Sequence, residues 1–301
     1  MEPGAAMSVR LPDGTIDTEI LEVKHLRDKF KPAKLPLIRG VVNMVESLLF
    51  GFKCMEKSAE KAGIDDDIDP EEMSKLDKWL SDHFGPKMMA VVTGISMVLG
   101  VTLAFGLFFY LPTFLVDIVD KYLFKDALSE IHPLFEGIMR MIIFVAYIWL
   151  VAKIPDIKRV FMYHGAEHKS IFCYEHGLEL TVENVKKQSR FHPRCGTSFI
   201  FVVLIISIFL SSALVVIFPS IDDVRLVWMG IKLMIMPLTV GVSYEFIKYA
   251  GKHENLLVKV LSAPGLFMQR ITTQEPTDDI IEVGIESLKA VLTDNPEDDA
   301  L

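Results

Sequence analysis

The stretch MMAVVTGISMVLGVTLAFGLFFYL runs from Met88 to Leu111 without a charged side chain. It is longer than the roughly 20 residues that an α-helix needs to cross the hydrocarbon core of a bilayer. Three more apolar stretches follow, at roughly Gly137 to Lys153, at Thr197 to Phe218 and at roughly Leu226 to Ile247. The sequence therefore predicts a mostly α-helical, polytopic membrane protein with about four transmembrane helices. For the second and fourth stretches, the alternative is a buried helix of a soluble domain.

The overall composition agrees with this fold class and excludes one group of partners. The chain has 301 residues, of which 51% are hydrophobic, a mean hydropathy of +0.36 and a formal net charge of −9. A net acidic chain lacks the basic surface that nucleic-acid phosphates require, so we expect membrane lipids and no nucleic acid among its partners. Three widely spaced cysteines, Cys54, Cys173 and Cys195, do not predict a disulfide framework.

Lysine and arginine residues near the ends of the spans predict the orientation, because they collect on the cytoplasmic side. They are frequent before the first span and between the second and third spans, and scarce in the other two connections. We therefore expect a multi-pass protein of a bacterial cytoplasmic (inner) membrane with both termini in the cytoplasm. The expected parts are an N-terminal cytoplasmic lobe (1–87), spans one and two (88–154), a central cytoplasmic loop (155–196), spans three and four (197–248) and a C-terminal cytoplasmic segment (249–301).

Local patterns predict further elements outside the spans. Pro12-Asp13-Gly14 lies between two strand-like stretches and predicts a β-hairpin in the N-terminal lobe. Residues 37–53 are apolar but short for a span. They predict an amphipathic helix that lies either in the lipid headgroup layer or packed inside the lobe. Another helix is expected from Asp278 to Leu292, with acidic residues in its first turn.

The central loop carries the pattern of a metal site. Pro155 ends the second span, and Asp156 to Glu175 is expected to form a helix. On this helix His164 and His168 are four residues apart and share one face, with Glu167 beside them. In the His-x-x-Glu-His signature of inverted zincins, both histidines bind zinc and the glutamate polarises a water. Two exposed histidines on a charged helix are the alternative interpretation.

A second cluster, HPRCGT (192–197), follows in the same loop. If it meets the first pair, His192 and Cys195 complete a set of four nitrogen and sulfur ligands for zinc or another divalent transition metal. A closed set of four is typical of a structural site, whereas catalysis needs an open position. The other interpretation is a tight entry loop, in which Thr197 or Ser198 caps the third span.

The predicted fourth span contains two charged residues. A carboxylate at membrane depth is costly and is a functional-site hypothesis by default, so Glu245 is a candidate catalytic residue or metal ligand. The alternative is an ion pair with Lys248 or Arg140. Lys232 is expected to snorkel towards the interface or to pair with one of the two aspartates that precede the span.

The blocks YHGAEHK (163–169), LTVENV (180–185) and HPRCGTSF (192–199) are the most distinctive parts of the chain. With shorter blocks such as SYE (243–245) and PGL (264–266), they resemble the YqhQ-like family of bacterial membrane proteins, known as domain of unknown function 1385. The resemblance covers nearly the whole chain. Members have been described as predicted metal-dependent enzymes, a label that rests on the same histidines and cysteine. The family usually opens with a glycine-rich segment, Gly-Gly-Gln-Ala-Val-Met-Glu-Gly-Val, from which the start of this chain departs.

Two functions follow as expectations. In the first, the protein is a metal-dependent hydrolase that acts on a peptide or lipid-linked bond at the cytoplasmic membrane face. Glu167 is then the general base, and Glu245 is a second catalytic candidate. In the other, it is a non-enzymatic membrane component, either a partner of the protein translocation or insertion machinery or a scaffold, and the metal is a structural clip. Membrane-protein partners or a homo-oligomer fit either function. Transport is a third hypothesis, supported by Glu245 and Lys232 alone.

Overall fold

The computed structural model describes residues 5–23, 25–26, 31–63, 88–125, 131–192, 195–218, 221, 224–250, 253 and 255–293. Within these ranges the protein is mostly α-helical, with one two-stranded sheet. Four helices are long and apolar enough to cross a membrane, namely Gly94–Phe124, His132–Val151, Phe199–Ile217 and Leu226–Ala250. The prediction of a mostly helical chain with four such helices is confirmed.

The elements are labelled in chain order. They are β1 (Ala5–Arg10), β2 (Ile16–Leu21), α1 (Ile38–Lys61), α2 (Met88–Phe105), α3 (Leu111–Val119), α4 (His132–Val151), α5 (Pro155–Glu175), α6 (Val182–Lys186), α7 (Gly196–Ile217), α8 (Arg225–Ala250), α9 (Leu256–Thr272) and α10 (Asp278–Lys289). Two π-helical turns, Gly106–Tyr110 and Asp120–Phe124, continue α2 and α3. The first apolar helix therefore extends to Phe124 rather than ending at Leu111. Pro112 has no N–H that could donate to the carbonyl of Phe108, four residues earlier. The wider π turn keeps the helix continuous across this position.

Helix α7 lies at the centre of the apolar bundle and packs against α4, α8 and α9, while α3 packs against α4. Gly137 allows the close approach of α4 and α7, because a Cβ atom there would lie 2.1 Å from Cγ1 of Ile208. Similarly, α1 packs on α8 at Gly40, where a Cβ atom would lie 2.5 Å from the Cβ atom of Tyr244. Small residues thus position the helices around α7.

A second, smaller core lies where α5, α6 and α10 meet. Its buried residues are Ala166, Cys173, Val185, Ile280, Ile281 and Ile285. The β-hairpin packs on α10, and Arg10 donates to the carboxylate of Glu282 over 2.7 Å. The structure thereby confirms the predicted hairpin and both predicted helices. The helix expected from Asp156 to Glu175 begins one residue earlier, at Pro155, and the other begins at Asp278 as expected. The last of these ends at Lys289, three residues before the expected end.

Buried charges connect three of the apolar helices. Glu136 of α4 accepts hydrogen bonds from Arg140 at 2.7 Å, from Lys232 of α8, and from the indole N–H of Trp228 at 3.4 Å. Arg140 also donates to the carbonyl of Phe108 at 2.8 Å, the group that Pro112 cannot bond. We call Glu136, Arg140 and Lys232 the buried ion cluster. The expected partners of Lys232, Asp222 and Asp223, lie outside the described residues.

The carboxylate of Glu245 is hydrogen-bonded to a residue that was not among its expected partners, although the charge of Lys248, which was expected, also acts on it. Its two oxygens accept hydrogen bonds from the guanidinium of Arg39, with Nε 2.6 Å from Oε1. Arg39 is in the first turn of α1, so the pair joins α1 to α8. The expected ion pair with Arg140 does not form, because Arg140 is engaged by Glu136.

Candidate metal centre

Three donor atoms from two segments meet at one end of the bundle. His164 and His168 project from the same face of α5, and their ring centroids are 4.4 Å apart. Cys195 comes from the segment just before α7, and its Sγ atom lies 3.2 Å from Nε2 of His164. Among the described residues, these three form a group whose donor atoms all lie within 4.8 Å of one another. We call this group the His/Cys cluster.

Backbone carbonyls orient both imidazole rings. Nδ1 of His164 lies 2.8 Å from the carbonyl oxygen of Thr272, and Nδ1 of His168 lies 2.6 Å from that of Arg190. A carbonyl oxygen only accepts, so each Nδ1 carries the proton and each Nε2 is available as a ligand. Metal-binding histidines are usually held by this kind of outer hydrogen bond, which sets the tautomer and the ring orientation.

The carbonyl of Thr272 can reach His164 because the chain after α9 crosses α5 closely. The N–H of Gln274 donates to the carbonyl of Phe161 over 2.8 Å. At Gly165 a Cβ atom would lie 2.1 Å from the carbonyl oxygen of Gln274, so a larger residue would displace the crossing chain. The glycine inside the His-x-x-Glu-His pattern therefore has a packing role at the site.

A buried glutamine positions the segment that carries Cys195. The side chain of Gln269, in α9, accepts from the N–H of His192 and donates to its carbonyl, both over 2.8 Å. Gln269 is fully buried. The side-chain amide of Gln269 thus pairs with the backbone of His192 as a neighbouring β-strand would, three residues before Cys195. Cys195 itself caps α7, because its sulfur accepts from the N–H of Thr197 at 3.4 Å. The expectation that Thr197 or Ser198 caps this helix is wrong.

The two histidines and the thiol alter each other's ionisation. Burial raises the pKa of the Cys195 thiol, but hydrogen bonds from His164, His168 and Thr197 outweigh it and lower the pKa to about 5. For His164, burial lowers the pKa, and the interactions with Cys195 and the Thr272 carbonyl outweigh it and raise the pKa. With a pKa of about 5, Cys195 is a thiolate at neutral pH in the metal-free site, and a thiolate is the form that binds metals.

His192 lies beside the His/Cys cluster but not within it. Its ring centroid is 5.7 Å from that of His168 and 4.6 Å from that of Phe172, and its Nε2 lies 3.4 Å from a carboxylate oxygen of Glu175. The structure therefore brings together three of the four expected ligands, His164, His168 and Cys195.

The two expected catalytic carboxylates lie in different surroundings. Glu167 is exposed on α5, and its charge helps to raise the pKa of His164, so it is close enough to interact with the cluster. Glu245, on α8, is bound to Arg39 of α1 and is not part of the three-residue cluster. A catalytic role for either residue stays a prediction.

Sequence reasoning missed the residues that hold the cluster in place, namely Gly165, Arg190, Gln269 and Thr272. Arg190 and Thr272 act through their backbone carbonyls, for which a side-chain pattern has no signal. Gln269 is a polar residue among apolar neighbours of α9, and this could have marked it as a buried partner.

The donor set suits a borderline-soft ion such as zinc. Tetrahedral zinc with bonds of about 2.0–2.3 Å places nitrogen and sulfur ligands roughly 3.5 Å apart, close to the 3.2 Å between His164 and Cys195. Two imidazoles and a thiolate are also the ligands that zinc accepts in catalytic sites with a fourth, open position.

The fold and the cluster define a class of protein. It is largely helical, with four membrane-length apolar helices and a partly buried His/Cys cluster where they meet a smaller core. The comparisons give the family. The family model "Protein of unknown function (DUF1385)" matches residues 35–294, and the chain belongs to this family. It is 34% identical over 288 residues to "Uncharacterized protein YqhQ" of Bacillus subtilis (strain 168). The aligned region covers 95% of this chain and 86% of that protein. No solved structure matches.

Proposed function

We propose that the His/Cys cluster holds a divalent transition metal, with zinc as the first candidate, and that the protein is a metal-dependent hydrolase at the cytoplasmic face of a bacterial membrane. The observation that carries the proposal is the convergence of His164, His168 and Cys195, with both imidazole Nε2 atoms available. A partly buried thiolate and two imidazoles whose donor atoms converge are well suited to an ion.

The number of ligands favours catalysis over a purely structural metal. Structural zinc sites are closed by four protein ligands, whereas catalytic sites use three and keep one position open. Among the described residues the cluster has three members, and His192 lies against Glu175. An ion in such a site supplies a Lewis acid and an activated water.

The remaining roles fall to residues of the chain. Glu167 lies on the same helix turn as the ligands and is exposed, so it can take a proton from water and pass it to solvent or to a leaving group. The Thr272 and Arg190 carbonyls hold the ligand rings. We expect the site to lie near a bilayer surface, because it is at one end of the apolar helices, and this position favours a lipid-linked bond or a membrane-protein peptide bond as substrate.

Metal analysis of the detergent-purified full chain tests the first half of the proposal. We expect about one zinc per chain in the parent protein and less than ~0.2 in His164→Ala and Cys195→Ser, because each variant removes one ligand of three. His176→Ala is the matched control, since His176 is at the end of α5 and bonds Gln188 instead. Less than ~0.2 zinc in the parent, or no loss in the ligand variants, ends the metal proposal.

A structural clip is the second candidate function. It is favoured by the origin of the ligands, because α5 and the segment before α7 are separate parts of the chain that a metal would tie together. Under this alternative the protein is a scaffold or a partner of the translocation or insertion machinery. Removing the metal should then lower thermal stability, and Glu167→Gln should change nothing.

Hydrolysis of a panel of peptide and lipid-ester substrates separates the two functions. If the protein is a hydrolase, Glu167→Gln should keep its zinc and lose about 10²–10⁴-fold in rate, the usual contribution of a general base. Glu183→Gln is the control, because Glu183 is also exposed but lies on α6 outside the cluster. Equal rates in Glu167→Gln and the parent contradict the proposed role of Glu167.

A further inference from the structure

Helix α1 presents an apolar stripe that the rest of the described protein leaves uncovered. The exposed side chains are Ile38, Val45, Leu48, Leu49, Phe52 and Met55. They recur at helical spacing and so lie on one face. Leu48 is 65% exposed and Phe52 63% exposed, whereas a helix of a water-soluble domain normally turns such a face inward. The described residues therefore leave this stripe open to another occupant.

The opposite face of α1 is already occupied, which fixes the rotation of the helix. Lys57 and Lys61 donate to the carboxylate of Glu19 on β2, over 2.5 and 3.0 Å. Nearer the start, the amide of Asn43 donates to the hydroxyl of Tyr244 over 2.7 Å. The stripe cannot turn inward without breaking these contacts.

The first turn of α1 is held beside the last turns of an apolar, membrane-length helix. Arg39 binds Glu245, and a Cβ atom on Gly241 would lie 2.7 Å from the backbone oxygen of Leu37. Both α8 residues belong to the stretch Leu226–Ala250 that is long and apolar enough to span a membrane. The stripe therefore starts beside one end of a helix that is long and apolar enough to span a bilayer.

We propose that α1 lies along the bilayer surface, with its apolar stripe inserted among the lipid acyl chains. From Ile38 to Met55 the stripe is about 26 Å long at 1.5 Å per residue. It ends where Glu56 and Glu60 become exposed. Interfacial helices have this combination of a strongly apolar face and a polar face, and nearby lysines meet the lipid phosphates. The exposed Lys31, Lys34 and Lys53 are placed for that contact.

A second copy of the chain is the competing occupant. The lipid surface fits better, because Arg39 and Glu245 hold the start of the stripe against the last turns of a membrane-length helix. Exposed lysines also accompany the stripe. This inference holds whether or not the cluster binds a metal.

Fluorescence of the full chain in lipid nanodiscs tests the inference. Phe52→Trp and Leu48→Trp place an indole on the stripe, and Glu60→Trp places one beyond its end. The chain's own three tryptophans give the same background in each variant. In the stripe variants we expect the emission of the introduced tryptophan to be blue-shifted, and to be quenched when the lipids carry brominated acyl chains. In Glu60→Trp the added emission should be red-shifted and unquenched.

Two results would overturn the inference. Red-shifted, unquenched emission from position 52 means that the stripe faces water. Blue-shifted emission that brominated lipid does not quench means that protein covers the stripe, and two chains per disc would then identify a second copy. An unchanged thermal unfolding transition in each variant, relative to the parent, controls for folding, and these exposed positions should tolerate an aromatic side chain.

Discussion

The His/Cys cluster and the buried ion cluster are both polar groups enclosed by helices, but they differ in how their charges are satisfied. In the buried ion cluster, the Glu136 carboxylate is matched by two cations and an indole N–H. In the His/Cys cluster, two imidazole Nε2 atoms and a sulfur point at each other, and the outer ring nitrogens are tied to carbonyls. The first arrangement is complete without a ligand, whereas the second is the arrangement in which we propose a cation. Buried polarity alone therefore does not mark a binding site.

The largest expected effect comes from breaking the buried ion cluster. Glu136→Leu leaves Arg140 and Lys232 enclosed without their carboxylate, and removing one partner of a buried pair typically costs about 3–5 kcal/mol. Thermal or denaturant unfolding of the detergent-solubilised protein measures the loss. If the cluster is the closed unit that the contacts describe, Glu136→Leu combined with Lys232→Met should cost less than the sum of the single variants. An unfolding transition unchanged in Glu136→Leu would mean that the charges are not enclosed.

A medium effect is expected from loosening the support of the His/Cys cluster. Gln269→Leu removes both hydrogen bonds to the backbone of His192, so the segment bearing Cys195 loses its position relative to α5. Changes to the support of a metal site usually lower affinity by about 10–100-fold, which chelator competition would measure. Gln188→Leu is the matched control, because that amide bonds Asn184 and His176. Equal losses in both variants would argue against a positioning role for Gln269.

The smallest effect concerns the charge on the thiol of the metal-free protein. The lowered pKa of about 5 makes Cys195 a thiolate at neutral pH, whereas burial raises the pKa of the Cys54 thiol. Alkylation of Cys195, followed by mass spectrometry, should slow as the pH falls through about 5. Alkylation of Cys54 should accelerate only in alkaline solution. Bound zinc should protect Cys195, and zinc should be released over the same acidic range because protons compete for the ligands.

Thr197→Val sharpens this measurement, because the Thr197 hydroxyl is one of several hydrogen-bond partners of the sulfur, at 3.2 Å. The alkylation midpoint of Cys195 should move upward by less than about one pH unit, since the two histidines remain. Parallel pH profiles for Cys195 and Cys54 in the parent protein would contradict the assigned thiolate.

The difference between the two clusters also shows how far the sequence could be interpreted. The pairing of His164 with His168 follows from helical periodicity, and the structure places both rings together as expected. The partner of Lys232 was expected nearby in the chain, but Glu136 lies 96 residues away. Arg39 was not expected as the ion-pair partner of Glu245, since the two residues are 206 positions apart in the chain. Local spacing predicts neighbours on one element, but it does not determine which distant elements meet.

The sequence by itself determined the four membrane-length helices, the hairpin at Pro12-Asp13-Gly14, and the shared face of His164 and His168. Each depends on length, turn chemistry or helical period, which act over a few residues. Only the tertiary structure decided that Cys195 joins the histidines while His192 turns to Glu175. That choice depends on Gln269 holding the loop and on Gly165 allowing the chain after α9 to pass α5, and both contacts join segments more than 70 residues apart.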